Sequence, residues 1–335
     1  MTSSAPAAVS GDGALSWARA WQEALYAPDG FYRRAAPAQH FATSAQGIPG
    51  AAALLAEAVA ALATRHRCAA VVDVGAGRGE LLTELATRDP RLALTGVDVV
   101  PRPPDLPPGV DGWLVSPGGP ALPPSLTDLQ DTLVLAHEWL DVVPCQVAQR
   151  DRHGVWREVE VIARSGTVTE RPGPPLTGAE QEWAQRWLAP QVWRAEIGLA
   201  REQALADLLT RVRSGLVVVV DYGHQGAERP PGGTLTGFRD GRQVDPVPDG
   251  ASDLTAHVAV DALLATLPRG ARAQRQGTVL RDLLGDPAPP VPHDLSRSDP
   301  GAYLRALARR GALRTLTSGA LGDFWWLQVP VGDVR

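Results

Sequence analysis

Apolar and polar positions change their spacing from segment to segment along the 335 residues of the chain. Leu15, Trp17, Ala18, Trp21 and Leu25 recur at helical intervals, which predicts a helix over Ala14–Ala27. A loop holding Phe31, Tyr32 and Phe41 follows, then an Ala-rich helix from Ala51 to Thr64. Strand and helix next alternate: a buried-type strand over Ala69–Val74, a helix over Glu80–Thr87, and a strand over Leu92–Val97. Trp113–Val115 and Thr132–Ala136 read as two short strands, and Leu216–Val220 as the unbroken apolar run of a central parallel strand. Helices near Val258–Leu267 and Pro300–Arg310, with strands at Leu313–Leu316 and Phe324–Val329, complete the pattern. Such alternation predicts an α/β fold, a parallel sheet covered on both faces.

The regularity breaks in three places. Pro101–Pro108 stands where a second crossover helix is expected, and repeated proline cannot continue a helix. Residues 178–213 form a long insertion, predicted helical and rich in Trp and Arg. Its Trp183, Trp187 and Trp193 fit a helix face buried in the core better than a substrate groove. Arg229–Gly250 is a Gly/Pro-rich loop of a length that is often functional. The expected organisation is a disordered tail at 1–13, a helical cap or lid at 14–66, and an α/β core at 67–330 carrying the 178–213 insertion. No internal repeat is visible.

Composition narrows the function classes. All 32 basic residues are Arg, a bias that fits a GC-rich genome, and the net charge is -5. A chain without net basicity offers no general attraction to nucleic acid or anionic lipid. The two cysteines, Cys68 and Cys145, lie far apart and without metal-ligand spacing, so neither a disulfide framework nor a metal site is expected. No apolar run approaches the ~20 residues of a membrane span. Residues 1–13 lack the apolar centre of a signal peptide, and the reducing cytoplasm is the expected compartment.

The candidate chemistry starts at Asp73-Val74-Gly75-Ala76-Gly77-Arg78-Gly79, a turn from strand into helix. Glycines there let the backbone approach a ligand, and the helix start offers N–H groups to an anion. A dinucleotide fingerprint would place its third glycine one residue later, where Glu80 stands and would face the pyrophosphate. The spacing fits S-adenosyl-L-methionine better. The loop amides of Gly75, Ala76, Gly77 and Gly79 would meet its carboxylate and Asp73 its ammonium. Asp98, with Val99 beside it, sits ~20 residues further on at a strand tip, placed to accept ribose hydroxyls. A nicotinamide dehydrogenase is disfavoured by the same spacing.

Several segments resemble the MidA-type methyltransferases, the family that includes the mitochondrial complex I assembly arginine methyltransferase. Ala24-Leu25-Tyr26 with Gly30-Phe31-Tyr32, His40-Phe41-Ala42-Thr43-Ser44 and His137-Glu138-Trp139-Leu140-Asp141-Val142-Val143-Pro144 are similar to successive family motifs. So are Trp156-Arg157-Glu158, Asp221-Tyr222-Gly223, Gly233-Thr234-Leu235, Asp253-Leu254-Thr255-Ala256-His257-Val258, and Arg275-Gln276-Gly277 with Leu283-Leu284-Gly285. The order holds from residue 24 to about 285. The resemblance implies a class I methyltransferase core, a Rossmann-like and mostly parallel seven-stranded sheet with helical insertions that shape a substrate groove. It implies methylation of arginine in a protein, with a respiratory-complex subunit among the candidate partners. It also places Thr43 and Ser44 over the cofactor, and Asp221, Tyr222 and His257 toward the substrate. The family's Asn before the acidic pair is His137 here, and its Pro after Thr-Ser is Ala45.

Methyl transfer needs two reactants positioned, water excluded and a proton managed, and it requires no metal. Glu138, Asp141 and His137 follow a predicted strand end, where ligands of open parallel sheets bind. Two carboxylates suit the planar fork of a guanidinium, and His137 is a candidate general base. Three readings remain open at this stage: a protein arginine methyltransferase, a small-molecule methyltransferase, and a cofactor-binding assembly factor without turnover.

Overall fold

The computed structural model describes residues 13–34, 48–164, 167–286 and 291–332. Seven strands form the main sheet: β1 Ala70–Val74, β2 Ala93–Asp98, β3 Gly112–Val115, β4 Thr132–His137, β5 Gly215–Asp221, β6 Arg272–Arg275 and β7 Trp325–Val331. Their spatial order is β3–β2–β1–β4–β5–β7–β6. β1 to β5 pair in parallel, while β7 runs antiparallel to both β5 and β6. The sheet is therefore mixed. The order 3-2-1-4-5 is that of a doubly wound sheet, and its switch point lies between β1 and β4.

Alternation along the central strands explains the two covering layers. In β5, Leu216, Val218 and Val220 face one core, with helices Ala51–Arg65, Glu80–Arg88, Gln276–Leu284 and Pro300–Thr317. Val217 and Val219 face the other, with helices Leu199–Thr210 and Val260–Thr266. Successive side chains of a strand point to opposite faces, so a strand buried on both sides must be apolar throughout.

A second sheet lies beside the first. Strands Gln146–Arg150, Trp156–Arg164 and Thr167–Pro175 pair antiparallel, and Arg194–Ile197 joins on the far edge of Gln146–Arg150. Helix Trp17–Tyr26 packs on this sheet with Trp17, Trp21 and Leu25 fully buried. Helix Ala51–Arg65, expected as part of an amino-terminal cap, instead belongs to the main sheet's first covering layer.

Other expectations are also corrected. Leu313–Leu316 is not a strand but the last turn of helix Pro300–Thr317. Its Ala312, Leu313 and Leu316 are buried at helical spacing, and so short an apolar run fits either period. The 178–213 insertion is not wholly helical. Helix Gly178–Trp187 ends ahead of Pro190, and strand Arg194–Ile197 intervenes before helix Leu199–Thr210. Trp183 is core, whereas Trp193 is half exposed. Within the 229–250 loop, Thr236–Arg239 and Arg242–Val244 form a hairpin, with Asp240 and Gly241 both at positive φ as a tight two-residue turn requires. The proline segment 101–108 carries no helix, as expected.

Candidate active site

The carboxyl ends of β1, β2 and β4 open onto a cavity of about 410 Å³ at the switch point. That size lies within the usual range for small-molecule sites, and parallel sheets bind their ligands at such a crevice. Gly75, Gly77 and Gly79 all have positive φ, between 59° and 79°, as the turn from β1 into helix Glu80–Arg88 demands. At Gly79 a side chain would also run into Leu106, which the proline segment brings against the turn.

The loop is braced from β2. Gly75 and Ala76 donate their N–H groups to the Val97 carbonyl at 2.9 and 3.2 Å. The Gly77 N–H donates to Asp98 Oδ2 at 2.7 Å, and the Val100 N–H to Asp98 Oδ1 at 3.2 Å. This corrects one expectation. The amides of Gly75, Ala76 and Gly77 are engaged within the protein, so they fix the loop's shape and are not spare donors for a ligand carboxylate. Trp113 of β3 crosses over Gly96 of β2 and donates its Nε1 hydrogen to the Val100 carbonyl at 2.9 Å, tying down the segment that starts the proline stretch.

Acid dominates this wall. Burial, followed by the charges of Asp98 and Glu80, pushes the Asp73 carboxyl up to about 7. Burial pushes Asp98 up to about 6, against the stabilising bonds from Gly77, Val100 and Val99. Val99 also lines the cavity and receives Arg33 on its carbonyl at 3.1 Å. A cationic ligand group is thus matched by Asp73 in its ionised form, since an opposite charge nearby favours the carboxylate. S-adenosylhomocysteine, which carries the same ammonium, is expected to bind about tenfold more tightly at pH 8 than at pH 6 as Asp73 loses its proton. Calorimetry at the two pH values checks this; an affinity that does not change would remove Asp73 from the ammonium site.

β4 supplies the opposite wall. His137 ends the strand, and Glu138 follows with φ of +53°, its N–H donating to Val220 of β5 at 2.8 Å. A non-glycine residue in the left-handed region is uncommon, and strain of this kind gathers at functional sites. Burial pushes His137 down to about 4, so the ring is neutral near pH 7. Its Nε2 lies 3.8 Å from Glu138 Oε1, an ion pair only for a protonated ring. A neutral ring this weakly basic takes up a proton only at acid pH.

Asp141 lines the cavity, but its Oδ2 is already taken. Tyr222 donates its hydroxyl at 2.5 Å and Thr255 donates at 2.7 Å. Asp221 is buried and accepts the Leu140 N–H at 3.0 Å. Asp221 and Tyr222 therefore stand behind the motif and support it, outside the cavity wall. His257 is exposed on the far side of Tyr222, with ring centroids 5.1 Å apart. Its backbone carbonyl, with those of Asp141 and Val143, receives the guanidinium of Arg201, a residue just 1% exposed. Thr43 and Ser44 lie outside the described residues.

Sequence reasoning missed three contributors. Tyr26 and Tyr32 line the cavity and are anchored to the Val142 carbonyl at 3.1 Å and to Asp253 Oδ1 at 2.7 Å. Asp253 is itself at the wall. All three sit in segments that carry the family resemblance, which was the available signal.

A glycine turn braced by an acid at the next strand tip, with polar groups across the switch point, defines a site for an adenosyl-type cofactor. Residues 120–279 match the family described as "Putative S-adenosyl-L-methionine-dependent methyltransferase". Among solved structures, a Burkholderia thailandensis protein bound to S-adenosyl-homocysteine superposes with a TM-score of 0.75 at 22% identity, covering 95% of this chain and 88% of that one. The native crystal structure of an uncharacterised protein from the same organism gives 0.70 at 22% identity, with the same coverage. At such identity the likeness establishes the fold. No curated protein matches. The family match over residues 120–279 supports a methyltransferase with S-adenosyl-L-methionine as its cofactor. Among the described residues, no group of three or more His, Cys, Asp or Glu is placed to hold a metal, and no helix is long and apolar enough to cross a membrane.

Proposed function

We propose that the chain has a class I methyltransferase core of the MidA type and methylates arginine in a protein substrate. The observation that carries this reading is Glu138, held in a left-handed conformation at the tip of β4 on the cavity wall. When bound, S-adenosyl-L-methionine supplies a methyl group on a positively charged sulfur, poised for in-line displacement. Asp73 holds its ammonium and Asp98 its ribose hydroxyls. Gly75, Ala76, Gly77 and Gly79 shape the turn so that these two acids face one ligand, and Val99 packs beside it.

Glu138 accepts the planar fork of the acceptor guanidinium and directs one nitrogen into the cavity. Methylation leaves that nitrogen with a proton to lose, and Glu138 is the acid placed to receive it. Asp141, bonded to Tyr222 and Thr255, fixes the loop that carries Glu138. His137, neutral, packs against Glu138 without charge. Thr43 and Ser44 close over the cofactor, and the exposed His257 meets the protein substrate at the rim. A respiratory-complex subunit is the first partner to examine.

A small-molecule acceptor is the second reading. Pro103 and Pro104 wall the cavity where the family has a helix, which favours an altered acceptor. Mass spectrometry of cells with and without the gene separates the two. Loss of a dimethylarginine from one protein supports the first reading. An unchanged set of methylated proteins, with a methylated metabolite lost, replaces it with the second.

A further inference from the structure

S-adenosyl-L-methionine is an amino acid at one end, so its ammonium arrives together with a carboxylate. Asp73 suits the ammonium; the carboxylate needs donors of its own. The glycine turn has few to give. The N–H groups of Gly75 and Ala76 go to the Val97 carbonyl, that of Gly77 to Asp98, and that of Gly79 to the Ala76 carbonyl at 2.8 Å.

Charge sharpens the problem. Asp73, Glu80, Asp98, Glu138, Asp141 and Asp253 all line the cavity, and three arginines, Arg33, Arg34 and Arg78, line it with them. An anion brought among these acids is repelled unless a cation stands beside it. Two of the three arginines are already engaged. Arg33 donates to the carbonyls of Tyr26, Val99 and Pro117 at 3.1, 3.1 and 3.2 Å, which ties helix Trp17–Tyr26 to the ends of β2 and β3. Arg34 donates to the Gly250 carbonyl at 3.0 Å.

Arg78 differs from both. It is exposed and makes no hydrogen bond or ion pair among the described residues. It stands at the crest of the turn between Gly77 and Gly79, both at positive φ, one residue ahead of the cap of helix Glu80–Arg88. The positive end of that helix also favours an anion, but Glu80 in its first turn offsets it. The guanidinium is therefore the deciding charge. It stays protonated at every working pH, and its planar fork matches both oxygens of a carboxylate.

We propose that Arg78 receives the amino-acid carboxylate of the cofactor, so that the site selects a ligand with an intact amino-acid end over its decarboxylated counterpart. The proposal rests on the cofactor assigned to this cavity above, and not on the identity of the methyl acceptor.

Calorimetry on the full chain tests it at pH 8, where Asp73 is mostly ionised. Two ligands are compared, S-adenosylhomocysteine and S-adenosyl-3-thiopropylamine, which lacks only the carboxylate. The parent is expected to bind S-adenosylhomocysteine about 10- to 100-fold more tightly, the range for a hydrogen bond to a charged group. Arg78→Ala is expected to lose that preference, its affinity for S-adenosylhomocysteine falling by the same factor. Its affinity for the amine should change by less than about threefold. A turn merely deformed by the substitution would weaken both ligands alike, and that result overturns the proposal. So does a parent that binds the two ligands equally, or an Arg78→Ala variant that keeps the preference. Should Arg78→Ala not fold, Arg78→Gln, which keeps most of the side chain without its charge, is read in the same way. A parent that binds neither ligand would remove the cofactor from this cavity, and the proposal with it.

Discussion

Asp98→Ala is expected to weaken S-adenosylhomocysteine binding by about 100-fold or more. The carboxylate accepts the Gly77 N–H at 2.7 Å and the Val100 N–H at 3.2 Å, and the function proposed above gives it the ribose hydroxyls. A hydrogen bond to a charged group contributes roughly 1.5–3 kcal/mol, and every 1.4 kcal/mol is about tenfold in affinity. Losing the brace of the glycine turn together with the ribose acceptor accounts for two such factors. Asp98→Asn keeps an acceptor oxygen for Gly77 and should lose about tenfold. Calorimetry on both variants is the check. Binding of Asp98→Ala within about threefold of the parent would move the cofactor away from this turn.

The second large effect falls on turnover. Glu138→Ala is expected to reduce methyl transfer by about 100- to 1000-fold, because truncating one member of a desolvated charge pair costs roughly 2–5 kcal/mol. Affinity for S-adenosylhomocysteine should change by about threefold at most, since the residue stands on the β4 wall and the brace lies on β1 and β2. Glu138→Gln keeps the shape and removes the charge, and it should lose nearly as much turnover. Radiolabel transfer from the cofactor to whichever acceptor the proteome comparison identifies gives the rate, and calorimetry the affinity. Undiminished transfer in Glu138→Ala would mean that the strain at this residue serves another purpose.

Much of the main sheet was readable because its period was readable. Val217 and Val219 pack on one layer, and Leu216, Val218 and Val220 on the other, so β5 had to be apolar throughout. The second sheet was not. Strand Thr167–Pro175 has no buried residue and holds Pro172, Pro174 and Pro175, so neither periodicity nor propensity marks it. It forms because strand Trp156–Arg164 provides a long antiparallel partner, a tertiary cause invisible to a local window. The hairpin at Asp240-Gly241 did carry its signal, an Asp-Gly pair at the turn, within a stretch read as loop because of its length.

The site divides in the same way. Asp73, Gly75, Gly77, Gly79 and Asp98 were legible since one turn and the next strand tip bring them together. Tyr32 meets Asp253 across 221 residues, and no spacing rule reaches that far. The roles within the acidic motif depended on partners likewise remote. Asp141 looks like an acceptor ligand until Tyr222 and Thr255 are seen to occupy it.

Arg201 ties the fate of two regions together. Its side chain reaches from helix Leu199–Thr210 to the turn after β4 and to the rim at His257, and its guanidinium lies over the Trp21 ring at 5.8 Å. A helix of the main sheet's covering layer thereby also fixes the turn that carries Asp141. Loss of this one helix would let both flanks of the pocket drift apart.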